Sequence, residues 1–245
     1  MSDIATPEPP PDSHIDHASS IQYWNNTPPT VDGMLGGFPQ ISAIDLRGSA
    51  SFLAKVRRLI LRQTARGKLE KISLGVDCGA GIGRVTEGFL GNVCEVVDIV
   101  EPIEKFAQAL RDGPFAKKNN GVVGDIYITG LENWVPEKQY DLIWNQWCVG
   151  HLTDVQLVEY LKRAADALTD SGLIILKENL STDVDGNDHF DSVDSAVTRA
   201  DGKFRNIFKE AGLNLIKTEE QLGFPKSLGL LPVRFYALRP EQLKS

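Results

Sequence analysis

Asp77-Cys78-Gly79-Ala80-Gly81-Ile82-Gly83 is the stretch that decides how this 245-residue chain folds. It lies between an apolar run, Ile72 to Val76, and a segment from Val85 to Leu90 that reads as helix, so it is a strand–loop–helix junction. Glycine at alternate positions permits a tight turn and lets a ligand approach bare backbone. A nicotinamide-binding G-x-G-x-x-G loop places its third glycine three residues after the second. Here that position is Arg84, and the nicotinamide pattern fails.

Outward from the loop, apolar strands alternate with helices. Val96 to Val100 reads as a second strand, closed by Glu101-Pro102 and followed by a helix from Ile103 to Leu110. A weaker third strand is expected near Val122 to Ile128. A fourth covers Tyr140 to Trp147, with a helix from Asp154 to Leu168 behind it, and a fifth covers Leu173 to Lys177. A helix over Lys203 to Glu210 and strands at Leu213–Glu219 and Val233–Leu238 complete the chain. Such alternation predicts a parallel-rich sheet covered on both faces. Ligands of these sheets sit beyond the carboxyl ends of the strands, so functional residues should follow the first, second, fourth and fifth.

Upstream, residues 1–18 carry Pro7, Pro9, Pro10 and Pro11 with little to bury, the composition of a disordered tail. Tyr23-Trp24 and the glycine-rich Gly33-Met34-Leu35-Gly36-Gly37-Phe38 follow. Phe52, Leu53, Val56, Leu59 and Ile60 then form an apolar helical stripe, with Arg57, Arg58 and Arg62 expected to face water. The expected organisation is a tail (1–18) and a single domain (19–245), in which a helical lid (19–66) precedes a catalytic core (67–245).

Hydrophobic residues make up 42% and charged residues 24%, ordinary for a soluble domain. A net charge of −7 argues against a broad nucleic-acid footprint. It suits a cationic ligand and plain solubility equally. Cys78, Cys94 and Cys148 form no C-x-x-C pair, which suggests neither zinc nor disulfides but reduced thiols in the cytoplasm or nucleus. No run approaches a membrane span, and the N-terminus does not read as a signal peptide.

Certain residues stand out on physical grounds. Glu101, eighteen residues after Gly83, ends the second strand, where a carboxylate can accept ribose hydroxyls; it would also be favoured as a charge at a helix N-terminus. Arg84 offers a planar guanidinium suited to a carboxylate. Trp147 and His151 follow the fourth strand at its carboxyl end, where a substrate should lie, although a tryptophan at that place is more often part of the core. Trp24 lies in a polar segment and reads as a lid or wall, and two indoles could enclose a proline ring or a cation.

The glycine loop looks like the first motif of class I S-adenosylmethionine-dependent methyltransferases. Four further blocks are more specific: Tyr23-Trp24, Thr30-Val31-Asp32-Gly33-Met34-Leu35-Gly36-Gly37, Gln146-Trp147-Cys148-Val149-Gly150-His151-Leu152 and Asp191-Ser192-Val193-Asp194-Ser195. In this order they closely resemble the protein α-N-terminal methyltransferases, which methylate the free amino group of chains beginning Xaa-Pro-Lys after methionine removal. The likeness spans about residues 20 to 240. Lys177-Glu178-Asn179 and Tyr236-Ala237-Leu238-Arg239-Pro240 resemble fungal members.

The resemblance implies a Rossmann-like α/β fold with a seven-stranded sheet, an N-terminal helical extension and an insertion after the fifth strand. It implies S-adenosylmethionine as cofactor, contacted by Gly79, Gly81, Arg84, Glu101, Pro102 and Ile103, and by Leu131, Glu132 and Gln146. It places the peptide against Trp24, Leu35, Gly36 and Ile41, and against Trp147, Asn179, Asp191 and Asp194. Within the insertion, Asp191 and Asp194 are expected to point together from a helical turn anchored by Val193 and Val197, forming a paired negative site for the substrate's ammonium and lysine. Asp185 and Asp188 read as solvated loop. His151 and Asp194 both stand as acceptors of the amine's proton, His151 because its ordinary pKa lies near working pH. No metal is needed. The implied partners are N-terminal peptides, ribosomal proteins among them, with no nucleic acid or membrane, and the enzyme is expected to be a monomer.

The chain departs from the family's pattern in places. Glu101 replaces the aspartate of animal members, Ala196 stands where some relatives have serine, and Leu231 or its neighbour where animal enzymes have tyrosine. Amino-directed base methyltransferases carry an Asn/Asp-Pro-Pro-aromatic segment after the fourth strand to grip a flipped base; Asn145-Gln146-Trp147-Cys148 does not match it. A catalytically silent relative would usually lose the glycine loop or the ribose acid, and both are intact.

Overall fold

A computed structural model describes residues 9–61, 69–118 and 121–241. Three helices, α1 (His17–Asn26), α2 (Val31–Met34) and α3 (Ser42–Ile60), precede the sheet. β1 (Ile72–Cys78) leads through the glycine loop into a π-helical turn (Thr86–Leu90), α4 (Gly91–Val93) and β2 (Cys94–Val100). Then come α5 (Glu104–Asp112), α6 (Pro114–Lys118), β3 (Val123–Tyr127), β4 (Tyr140–Gln146), α7 (Asp154–Asp166) and β5 (Leu168–Asn179). The chain continues with β6 (His189–Asp191), β7 (Ala196–Thr198), α8 (Asp201–Glu210), β8 (Leu213–Glu220) and β9 (Val233–Pro240). The main strands and helices expected from residue 72 onward are present, the helix after the glycine loop taking a π-helical form.

Seven strands form one sheet in the order β3-β2-β1-β4-β5-β9-β8, and β6 pairs with β7 in a separate hairpin. β1 to β5 pair in parallel, and β9 runs antiparallel between β5 and β8. Strand order reverses between β1 and β4, which opens a crevice beyond their carboxyl ends. Helices cover both faces, so the strands read as nearly continuous apolar runs. Along β4, Leu142 and Trp144 pack with Phe52, Leu53 and Val56 of α3, while Ile143 packs on the other face with residues of α7 and α8. Thr153 and Gln156 close a reciprocal capping box at the start of α7, fixing the chain's exit from the crevice.

The N-terminal segment departs from expectation. Residues 9–18 are placed against the β6–β7 hairpin and the start of α7 and form no disordered tail. Pro11–His14 make a short 3-10 turn, Asp12 accepts a hydrogen bond from the backbone N–H of Asp154 at 2.8 Å, and His14 meets Phe190 at 5.5 Å. A proline-rich stretch with few apolar groups thus gains order by capping a helix N-terminus. Residues 1–8 of the expected tail, residues 62–66 of the expected lid, and with them Arg62, lie outside the described residues. On α3 the stripe buries Phe52, Leu53 and Val56, but Leu59 is 55% exposed near the helix end. Arg57 is half-buried and donates to the Glu70 carbonyl. Among the described residues no helix is long and apolar enough to cross a membrane.

Candidate active site

The glycine loop is held by backbone contacts. Gly79 and Ala80 donate N–H groups to the Val100 carbonyl at 2.8 and 3.2 Å. Gly79, Gly81 and Gly83 have φ of 65°, 57° and 79°, in the left-handed region that favours glycine. A Cβ on Gly79 would lie 2.4 Å from Cys148 Cβ, and one on Gly81 would lie 2.7 Å from Met34 Sδ. Glu101 braces the same loop: Oε2 accepts from Gly81 N–H at 2.6 Å and Oε1 from Ile103 N–H at 2.8 Å. Burial raises its carboxyl to about pH 7 against these two donors.

The turn after β4 forms the next wall. Trp147 sits at φ 54°, an unusual conformation for a bulky residue, of the kind that collects at functional sites. Its N–H bonds the Lys177 carbonyl, and Cys148 and Val149 donate to Glu178 Oε1 at 2.9 and 3.1 Å. Glu178 is buried, which raises its carboxyl to about pH 7. The Trp147 indole N–H is buried without a partner, while Arg84 and Lys177 lie 5.6 and 5.7 Å from the ring centre.

Helix α1 closes onto this turn. Trp24 Nε1 donates to His151 Nε2 at 3.1 Å, and His151 Nδ1 lies 3.0 Å from Ser20 Oγ. An indole N–H can only donate, so Nε2 is the bare nitrogen, and Nδ1 carries the proton and gives it to Ser20. Burial pulls His151 down to about 4, with His17 acting in the same direction. Further ties run from His17 to Gln156 at 3.1 Å, and from Lys105 to the carbonyls of Asn25 and Thr27.

The insertion holds Asp191 and Asp194 in the β6–β7 hairpin, where a helical turn was expected. Asp191 ends β6 and Asp194 occupies the connecting turn, so tight-turn geometry brings them together. Val197 is buried, but Val193 is 69% exposed and anchors nothing. The anchor is Arg199, fully buried and donating to the Val149 and Leu152 carbonyls, with Gly150 packed against the Val197 backbone. Ser195, at φ 57°, accepts from Asp16 N–H at 2.8 Å. Asp194 Oδ1 is buried without a partner, and burial, reinforced by Asp191, raises the carboxyl to about 6. Asp191 is exposed and accepts from Val193 N–H. Asp188, expected in solvated loop, instead accepts from Ala200 N–H and faces Lys203 at 3.7 Å, whereas Asp185 is exposed.

A cavity of about 1000 Å³, its open mouth included, lies between the glycine loop, the Trp147 turn and α1. A family model of AdoMet-dependent proline di-methyltransferases matches residues 12–239. The chain belongs to this family. Among its relatives, the alpha N-terminal protein methyltransferase 1 of Schizosaccharomyces pombe is 43% identical over 228 residues, covering 91% of this chain and 96% of that protein. The N-terminal Xaa-Pro-Lys N-methyltransferase 1 of Xenopus tropicalis is 40% identical over 213 residues, covering 86% of this chain and 91% of its own. A solved SAM-dependent methyltransferase from Leishmania major superposes with a TM-score of 0.77 at 31% identity, over 91% of this chain and 82% of that one. The fold is the class I Rossmann-like methyltransferase fold, and the chain is an S-adenosylmethionine-dependent enzyme.

In this methyltransferase the residues expected at the cofactor meet in one place. Gly79, Gly81, Arg84, Glu101, Pro102 and Ile103 line the cavity together with Leu131, Glu132 and Gln146. The residues present fit S-adenosylmethionine: Gly79 and Gly81 present backbone without side chains to the cavity, and a buried carboxylate stands at the end of β2. Trp24, Trp147 and His151 line the same cavity. Leu35, Gly36, Ile41, Asn179, Asp191 and Asp194 do not. Leu35 and Ile41 are buried, Gly36 is exposed at φ 55°, and Asn179 ends β5.

Other groups had been given no role in the site. Ser20 and Met34 line the cavity, and Asp45, Lys177, Glu178 and Arg199 support it from behind. A signal for Asp45 was present: Asp45 and Ser49 fall on the same α3 face as Phe52 and Val56, polar residues on an apolar stripe. Arg199 gave none.

Proposed function

We propose that this chain methylates the free α-amino group of proteins that begin Xaa-Pro-Lys once methionine is removed, ribosomal proteins among them, and acts as a monomer in the cytoplasm or nucleus. The observation that carries the reading is the unpartnered, buried oxygen of Asp194, on a hairpin that lies outside the cavity lining but is clamped to the His151 turn, which lines it. A buried carboxylate oxygen without a donor is costly, and a cationic amine would satisfy it.

S-adenosylmethionine, when bound, supplies an electrophilic methyl group on a sulfonium. Glu101 would accept its ribose hydroxyls with the lone pairs left by Gly81 and Ile103, and Arg84 would face its carboxylate. Trp24 and Trp147 would hold the proline ring between two indoles, while Asp191 and Asp194 would draw in the ammonium and lysine. Asp194 would take the amine's proton. An α-amino group titrates near 7.7–8.0, and burial of Asp194 narrows the gap to its acceptor from about 4 pKa units to about 2. His151 would act as a neutral acceptor that latches Trp24, its lone pair already engaged.

Incubation with labelled S-adenosylmethionine and two peptides, Pro-Pro-Lys and its N-acetylated form, tests the reading. Label on the free peptide alone is expected. Label on both, or on neither, contradicts it, and label on a nucleic acid or small amine in their place would select a rival substrate class.

A further inference from the structure

Behind the cavity, and outside its lining, lies Asp45. It is fully buried in the first turn of α3 and faces three elements at once. Oδ2 receives Arg84 Nη1 at 2.7 Å, and both oxygens receive Gln146 Nε2, at 3.0 and 2.9 Å. Lys177 reaches Asp45 Oδ1 in a short ion pair and the Asp45 carbonyl at 3.1 Å, and it also donates to Ser49 Oγ and Gln221 Oε1. Arg84 begins the segment after the glycine loop, Gln146 ends β4 and Lys177 lies on β5. The Asp45 carboxylate is the point at which they meet.

Arg84 and Gln146 line the cavity; Asp45 and Lys177 do not. An arginine side chain has several free torsions, and a guanidinium binds a carboxylate well only when its fork is aimed. Here one nitrogen is fixed by Asp45, with Ser42 Oγ at 3.4 Å, and the guanidinium carbon lies 5.6 Å from the Trp147 ring centre. These contacts leave the other nitrogens of Arg84 to the cavity. Gln146 is oriented in the same way: its amide nitrogen is spent on Asp45, and its oxygen accepts from Trp144 Nε1 at 3.3 Å.

We infer that Asp45 is a positioning residue for cofactor binding, acting through Arg84 and Gln146, and that α3 is therefore part of the cofactor site. The inference rests on the reading of the cavity as the S-adenosylmethionine site. A purely structural role is the competing account: a buried Lys177 needs an anion whatever binds next door.

Variants separate the two accounts. Asp45→Asn alone strands Lys177 and risks unfolding, so the informative protein is Asp45→Asn/Lys177→Met, which removes both charges of the pair. Calorimetry with S-adenosylmethionine gives affinity without turnover, and thermal melting gives stability. Wild type should bind. The double variant should melt close to wild type yet bind about ten- to a hundredfold more weakly, the loss expected for a misdirected charge-assisted contact. In an Arg84→Met background the same double change should cost clearly less than it does in wild type, because only the part that acts through Gln146 remains to be lost. Wild-type affinity in the double variant, or losses that add in full to that of Arg84→Met, would overturn the positioning role and leave the cofactor reading intact. Failure of the wild-type chain to bind S-adenosylmethionine would overturn both.

Discussion

Replacing His151 by glutamine separates two roles that the histidine could fill. Its Nε2 accepts the Trp24 indole N–H at 3.1 Å and its Nδ1 faces Ser20 at 3.0 Å, so the neutral ring has no free lone pair in this arrangement. A glutamine oxygen can occupy the Nε2 position and keep the Trp24 bond, but it cannot carry a proton. Alanine removes the acceptor altogether. The lost bond is worth about 0.5–1.5 kcal/mol, and an orphaned indole N–H costs about 1–3 kcal/mol. Since 1.4 kcal/mol is tenfold, His151→Ala should raise KM for a Pro-Lys peptide about tenfold or more, while kcat changes little. His151→Gln should lie within about threefold of wild type in both constants, about 0.6 kcal/mol and so at the low end of one hydrogen bond's worth. The assay is steady-state methylation at saturating cofactor with the peptide varied. If histidine carried the proton, both variants would lose about 100- to 10,000-fold in kcat. A glutamine variant as slow as the alanine variant would refute the latch.

Three further outcomes follow from the geometry. Asp194 must be ionised to accept a proton and its carboxyl is raised to about 6, so kcat should climb as pH rises through about 6; in Asp194→Asn that limb should move towards the amine's own value near 8, with a large fall in rate at neutral pH, and an unmoved limb would remove Asp194 from the proton path. Gly79→Ala puts a methyl 2.4 Å from Cys148 Cβ at φ 65°, so it should lower the melting temperature and abolish cofactor binding measured by calorimetry; retained affinity would show that the loop has room to give. Asp12→Ala should cost about 1 kcal/mol in denaturant unfolding by removing the acceptor of the Asp154 N–H at the start of α7, whose Thr153 cap remains, and an unchanged midpoint would mean that the N-terminal turn contributes no stability.

Strand–helix alternation and the glycine spacing made the sheet legible, because buried parallel strands show as apolar runs and a left-handed loop must carry glycine. The cavity lining was legible as well: it follows the ends of β1, β2 and β4, where the topology puts ligands. Three features were hidden. Residues 9–18 look disordered by composition because their order comes from hydrogen bonds to α7 and Ser195, which leave no apolar signature. Asp191 and Asp194 show the same spacing in a hairpin turn as in a helical one, so periodicity could not choose between them. Lys177 and Arg199 are buried charges, and Asp45, although marked by its place on an apolar stripe, gives no sign of its partners: these lie 39 to 132 positions away for Asp45 and Lys177, and up to 50 for Arg199, separations that no local pattern reports.

Tandem mass spectrometry of a Pro-Pro-Lys peptide, after incubation with the enzyme and S-adenosylmethionine, locates the transferred methyl group. The added methyl mass is expected on the α-amine of the first residue, and none on the lysine side chain. Methyl groups on the lysine ε-amine, or an unmodified peptide beside active enzyme, would contradict the proposed function.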